Sequence, residues 1–174
     1  MTGGAHAGGS AGGPVRTGYV AVVGPGTATP ADEAVARELG ALLAAGGHVV
    51  LCGGLGGVMA AVTRGAREAG GVVVGLLPGT DRHDGDPHLT VALATGLGEL
   101  RNGLLVRAAD VVVAVGGSWG TLSEVALAIR TGVPVVSVGG WTVATADGRP
   151  VPGAHRVPDA AGAVAAVARL LSRA

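Results

Sequence analysis

The feature that most restricts this fold is a repeated unit: a short valine-rich run closes on glycine and gives way to a segment of helical period. Runs at residues 19–23, 48–51, 72–77, 110–115 and 133–138 are mostly continuous in apolar residues, without in/out alternation. Strands of that composition are covered on both faces, as in a parallel sheet flanked by helices. Thr29-Pro30-Ala31-Asp32 reads as an N-cap with proline at the first helical position, and that helix stops at Gly46-Gly47. A second helix is expected over 57–69, burying Val58, Ala61, Val62, Gly65 and Ala69. A third, over 97–108, carries Leu97, Leu100, Leu104 and Ala108 as its stripe. A fourth, over 122–131, carries Leu122, Val125, Ala126 and Ile129, and a last one covers 158–172.

Strands alternating with helices in this way predict an α/β fold, a doubly wound, mainly parallel Rossmann-like sheet with helices on both faces. Residues 17–174 are expected to form one such domain, preceded by a flexible glycine-rich tail over 1–16. That tail has neither the basic nor the apolar segment of a signal peptide. No apolar run reaches the roughly 18 residues a membrane span requires. Two stretches remain irregular: a charged loop over 78–89, and 139–150, where Asp147-Gly148 suggests a hairpin turn.

Composition removes several function classes. The twelve basic residues are all arginine. Without lysine the chain can form no internal aldimine with pyridoxal phosphate and no Walker A loop, so it is not a pyridoxal-dependent lysine decarboxylase. Twelve acidic residues balance the arginines, and no basic run marks a nucleic-acid or membrane surface. The expected partners are small molecules and further copies of the chain, with no nucleic acid and no membrane. The single Cys52 excludes an intrachain disulfide and fits a cytoplasmic protein.

Three strand-to-helix turns concentrate glycine: Gly24-Pro25-Gly26-Thr27, Gly53-Gly54-Leu55-Gly56-Gly57 and Gly116-Gly117-Ser118-Trp119-Gly120-Thr121. Such turns let backbone N–H groups crowd an anion at a helix start, so they predict a phosphate site. The first turn does not complete G-x-G-x-x-G, and no acid follows the second strand to hold a ribose diol. That disfavours an ordinary NAD site. Arg101 lies beside an apolar stripe, where a guanidinium either finds a carboxylate or phosphate partner or snorkels to water. Glu124 lies in the first turn of the fourth helix, about 200° from its apolar stripe. It is either the end of a capping box, Thr121-Leu122-Ser123-Glu124, or a carboxylate facing ribose hydroxyls and an oxocarbenium-like centre.

The stretches GGLGGVMAAVTRGAREAGGVVVGLLPG and TGLGELRNGLLVRAADVVVAVGGSWGTLSEVALAIRTGVPVV resemble the LOG-type Rossmann superfamily. That group includes nucleoside 5′-monophosphate phosphoribohydrolases and molybdenum-cofactor carrier-like proteins. The hydrolase motif is PGGxGTxxE, preceded by a helical Arg-Lys pair. By resemblance the phosphate loop falls on Gly117, Ser118, Trp119, Gly120 and Thr121, and the catalytic pair on Arg101 and Glu124. Gly24, Gly26, Gly53, Gly54, Gly56, Gly57, Met59 and Asn102 complete the expected nucleotide site. Gly116, Ser118 and Asn102 stand where the hydrolases carry proline, glycine and lysine, and the Arg-Asn pair looks closer to the carrier-like branch. The resemblance implies N-glycosidic hydrolysis of a nucleoside 5′-monophosphate or, as the alternative, a non-catalytic carrier or sensor of a nucleotide or pterin-phosphate ligand. No cofactor is required, the molybdenum cofactor being at most a carried ligand, and a homodimer or homotetramer is implied.

Other features receive plainer readings. His83, Asp84, Asp86 and His88 cluster in sequence, but without a scaffold to fix ligands no metal site is expected. Trp119 either stacks on a base, meets another subunit or packs in the core. Cys52 is expected to be a small core residue, and Arg16, Arg67 and Arg130 to be solvated.

Overall fold

The computed structural model describes residues 17–173, so the expected tail over 1–16, including Arg16, lies outside the described residues. The order is β1 (Tyr19–Val23), α1 (Pro30–Ala45), β2 (Val49–Cys52), α2 (Val58–Glu68), β3 (Val73–Leu77), β4 (Val91–Ala94), α3 (Arg101–Ala108), β5 (Val111–Val115), α4 (Trp119–Thr131), β6 (Val135–Val138), β7 (Ala154–Val157) and α5 (Ala160–Leu171). The seven strands form one parallel sheet, ordered β4-β3-β2-β1-β5-β6-β7. The predicted α/β architecture is therefore present. None of the described helices is long and apolar enough to cross a membrane.

The central strands bury both sets of alternating side chains. Val20, Val22, Val111 and Val113 pack with Leu39, Leu43, Val62 and Val167, which places α1, α2 and α5 on one face. Ala21, Val23, Val112 and Ala114 pack with Leu105, Val106 and Ala128, which places α3 and α4 on the other. The α1 start is built as its sequence dictates: Thr29 Oγ1 accepts from the Asp32 N–H at 3.1 Å, with Pro30 behind it.

The sheet has two more strands than the five valine-rich runs, β4 and β7. Both are edge strands, largely exposed, with sequences VALA and AHRV. An edge strand has one neighbour and needs no continuous apolar run, so its sequence carries a weak signal. The 139–150 stretch does turn back on itself, Thr145 N donating to Arg149 O and Val151 N to Val143 O, each at 2.8 Å.

Two helix faces differ from expectation. The third segment is not one helix: a 3-10 turn, Gly98–Leu100, precedes α3. Leu97, Leu100 and Leu104 are 45%, 79% and 48% exposed, whereas Arg101, Leu105 and Val106 are buried. In α4 the buried positions are Thr121, Glu124 and Ala128. The stripe of Leu122, Val125, Ala126 and Ile129 is only partly covered or exposed. The helix begins at Trp119, three residues before the start inferred from the apolar period, and is capped by Ser118, whose hydroxyl accepts from Thr121 N at 3.1 Å.

Candidate functional site

Strand order reverses between β1 and β5, so the loops following these strands run to opposite faces and leave a cleft at the carboxyl rim, the usual ligand position in such sheets. The cleft, about 280 Å³, is lined by Gly24 and Gly26 after β1 and by Gly53 and Met59 around the second glycine turn. Arg101 and Asn102 from the start of α3, and Ser118, Gly120, Thr121 and Glu124 from the start of α4, close it. Ten of the predicted site residues thus meet around one space.

Arg101 is 9% exposed and does not snorkel. Its guanidinium lies on Gly53: a Cβ built there would stand 2.5 Å from Nη2 and 2.6 Å from Met59 Sδ. Glycine at 53 therefore makes the space the cation occupies. Arg101 Nε and Nη1 are buried without a hydrogen-bond partner, as is Asn102 Oδ1. Buried polar groups in folded proteins are almost always paired, and three orphans at one cleft wall describe a surface prepared for a polar ligand. A guanidinium is suited to bidentate recognition of phosphate or carboxylate.

Glu124 Oε1 stands 3.8 Å from Arg101 Nη1, close enough for an ion pair and too far for a hydrogen bond. Glu124 is 6% exposed. Burial pushes its carboxyl up to about 7, against the opposing pull of Arg101. It belongs to the second turn of α4, not the first, and the helix is capped by Ser118, so the capping-box role at Glu124 does not apply. The Ser118 and Thr121 hydroxyls also share a hydrogen bond of 2.8 Å. They fix the loop whose helix start supplies positive potential to the cleft.

Five other predicted positions lie outside this lining. Gly57 (φ +60°) lets the second turn pass under the first, where a Cβ would stand 2.3 Å from Pro25 O. Gly56 faces Gly26 O, and Gly54 packs against Leu77 while its carbonyl accepts from Asp86 N at 2.9 Å. Gly117 lies under the Trp141 ring. Trp119 is 79% exposed, its ring 4.8 Å from that of Trp141 in an edge-to-face pair, and so is not core. Val22, Val23, Leu55, Pro78, Gly98 and Glu99 also line the cleft and are absent from the residues expected on sequence grounds. Pro78 was findable, since it directly follows a predicted strand on the same rim.

The remaining candidates separate. His83 pairs with Asp81 at 2.7 Å and His88 with Asp86 at 3.2 Å, as two separate units. Among the described residues no group of three or more His, Cys, Asp or Glu is placed to hold a metal. Cys52 is buried 3.6 Å from Thr63 Oγ1, and burial pushes its thiol up, which keeps it protonated.

A parallel, doubly wound sheet with a glycine-lined cleft at its switch point defines a Rossmann-type ligand-binding protein. The chain belongs to the SLOG cluster4 family, whose sequence profile matches residues 17–157. This bears out the resemblance to the LOG-type superfamily. Over 119 residues it is 39% identical to an uncharacterized protein of Archaeoglobus fulgidus, covering 68% of this chain and 78% of the relative. Its fold is similar to the molybdenum cofactor binding protein from the phototrophic bacterium Rippkaea orientalis, with a TM-score of 0.80, 32% identity, and 90% and 98% of the two chains covered. It is likewise similar to the Moco carrier protein from Chlamydomonas reinhardtii, with a TM-score of 0.79, 36% identity, and 91% and 100% covered.

Proposed function

We propose that this chain binds a phosphorylated heteroaromatic small molecule and carries it without turnover, as a carrier of a molybdopterin-type cofactor. The observation behind this reading is the buried Arg101, whose Nε and Nη1 have no hydrogen-bond partner at the wall of a glycine-lined cleft. A phosphate there gains charge-assisted hydrogen bonds from Arg101 and from the amides at the α4 start. The similarity to two molybdenum-cofactor binding or carrier proteins supports the choice of cargo, as does Asn102 in place of the hydrolases' lysine.

One feature favours a second reading, hydrolysis of a nucleoside 5′-monophosphate. Glu124 lies in the same cleft with a carboxyl that changes charge near neutral pH, which suits acid–base work. In that reaction the C1′–N bond breaks, the base leaves with the electron pair and takes a proton, and water adds to C1′. Glu124 would stabilise the positive charge developing on the ribose. The exposed Leu97, Leu100 and Leu104 supply an apolar face for self-association.

Incubation with a panel of nucleoside 5′-monophosphates separates the readings. The expected result is no ribose 5-phosphate, together with a raised Tm in the presence of a molybdopterin-type ligand. Release of ribose 5-phosphate that is lost in Glu124→Gln would overturn the carrier reading in favour of the hydrolase.

A further inference from the structure

A second cavity, about 650 Å³, lies between α4 and the 139–152 segment. Its floor is a row across the sheet in which Ala114 is paired with Ser137, and Ser137 with Arg156. One wall is Leu122, Val125 and Ile129 of α4; the other holds Trp141 and Val151. The volume and mainly apolar lining fall in the range of small-molecule sites, roughly 300–1,000 Å³. Ser137 Oγ, at the floor, is buried and has no hydrogen-bond partner. Ser118 and Thr121 line both this cavity and the polar cleft, so the two chambers meet across that pair.

We infer that this cavity is the chamber for a flat nitrogen heterocycle of the purine or pterin class, held between α4 and Trp141 with one edge hydrogen-bonded to Ser137. The inference rests on the reading of a phosphorylated heteroaromatic ligand and locates its ring. Three observations direct the choice. A hydroxyl both donates and accepts, which matches a ring edge where N and N–H alternate. Trp141 supplies an aromatic surface at the wall. Arg156, the strand partner of Ser137, is engaged: Nη1 donates to Trp141 O and Thr142 Oγ1 at 3.1 and 3.0 Å, and Nη2 to Gly139 O at 3.4 Å. The other arginine of the lining, Arg130, sits in the exposed last turn of α4, so the floor beside Ser137 suits a neutral ring.

The test uses the full chain with pterin and adenine, neither carrying a phosphate, titrated by calorimetry, with inorganic pyrophosphate titrated in parallel. Ala126 lines the cavity and is exposed on its helix, so Ala126→Phe fills the chamber without disturbing the core. The expected result is saturable binding of a ring compound, at least tenfold weaker in Ala126→Phe, several-fold weaker in Ser137→Ala and unchanged in Arg101→Ala. No ring binding, or ring binding lost in Arg101→Ala but kept in Ala126→Phe, overturns the inference. So does a drop in solution mass in Ala126→Phe without ring binding, which identifies the chamber as a subunit contact. Pyrophosphate reports separately on the cleft: if it fails to bind while the rings bind, the phosphate reading falls and the chamber stands.

Discussion

Arg101 and Glu124 face each other across 3.8 Å inside the cleft, a buried cation and a buried acid that do not hydrogen-bond. They reach this position from different helices, α3 and α4. The cation keeps donors free while the acid holds its proton close to neutral pH, so an arriving anion competes with a carboxylate that readily becomes neutral.

The pair makes stability depend on pH. Glu124 has a folded-state pKa of about 7, above its ordinary value of 4.5. Its contribution is therefore fully present below about pH 4.5 and is lost as pH rises through about 7. Urea unfolding at pH 5 and pH 8 should show Glu124→Gln gaining on the wild type at the higher pH, by on the order of 2 kcal/mol. Equal differences at both pH values would contradict the burial argument.

Gly53→Ala probes the space under Arg101. A methyl group there would stand 2.5 Å from Nη2 and 2.6 Å from Met59 Sδ, so the guanidinium and the thioether must shift. Pyrophosphate affinity should fall at least tenfold and stability by about 1–3 kcal/mol. Adding Arg101→Ala should recover part of that stability, because the two changes share one contact. Additive losses would show that the overlap is absorbed elsewhere.

How much of this was legible in the sequence differs by element. The valine-rich strands and the three glycine turns carry strong local signals, and they suffice for the central sheet and for the rim where the cleft lies. The α4 face was not legible from period, because Leu122, Val125, Ala126 and Ile129 form the most apolar stripe yet line a cavity. In α4 it is Thr121, Glu124 and Ala128 that face inward, on a helix that Ser118 starts earlier than the apolar period suggests. Glycine has the same one-letter signal whether it lines the cleft, as Gly26 does, or relieves contact between two turns, as Gly57 does. Only the packed structure distinguishes them.

His48 gives an opposite pH signature. It is 5% exposed, and its Nδ1 accepts the Gly18 N–H at 3.2 Å. Burial lowers its pKa, so the unfolded chain binds the proton more readily. Stability should fall as pH drops below about 6.5. In a Glu124→Gln background, midpoints measured from pH 7 to pH 5 should decline, with a smaller decline in His48→Asn. A decline of the same size in His48→Asn would exclude His48 as the source.

Leu100 is 79% exposed at the start of α3, flanked by the exposed Leu97 and Leu104. Leu100→Glu should leave the fold intact, as surface changes generally do, while lowering the mass measured by light scattering. An unchanged mass would remove this face as the contact.

The parallel sheet gives the molecule a working end and a handle end. All seven strands point the same way, so the loops that build the cleft share one rim, and turns such as Gly70 and Gly46-Gly47, which precede strands, share the other. Both turns are open: a Cβ at Gly47 or Gly70 would meet no atom within 4 Å. A peptide inserted there, carrying a dye or a tether to a surface, would report on ligand binding from the far side of the sheet and leave the entrance to the cleft clear.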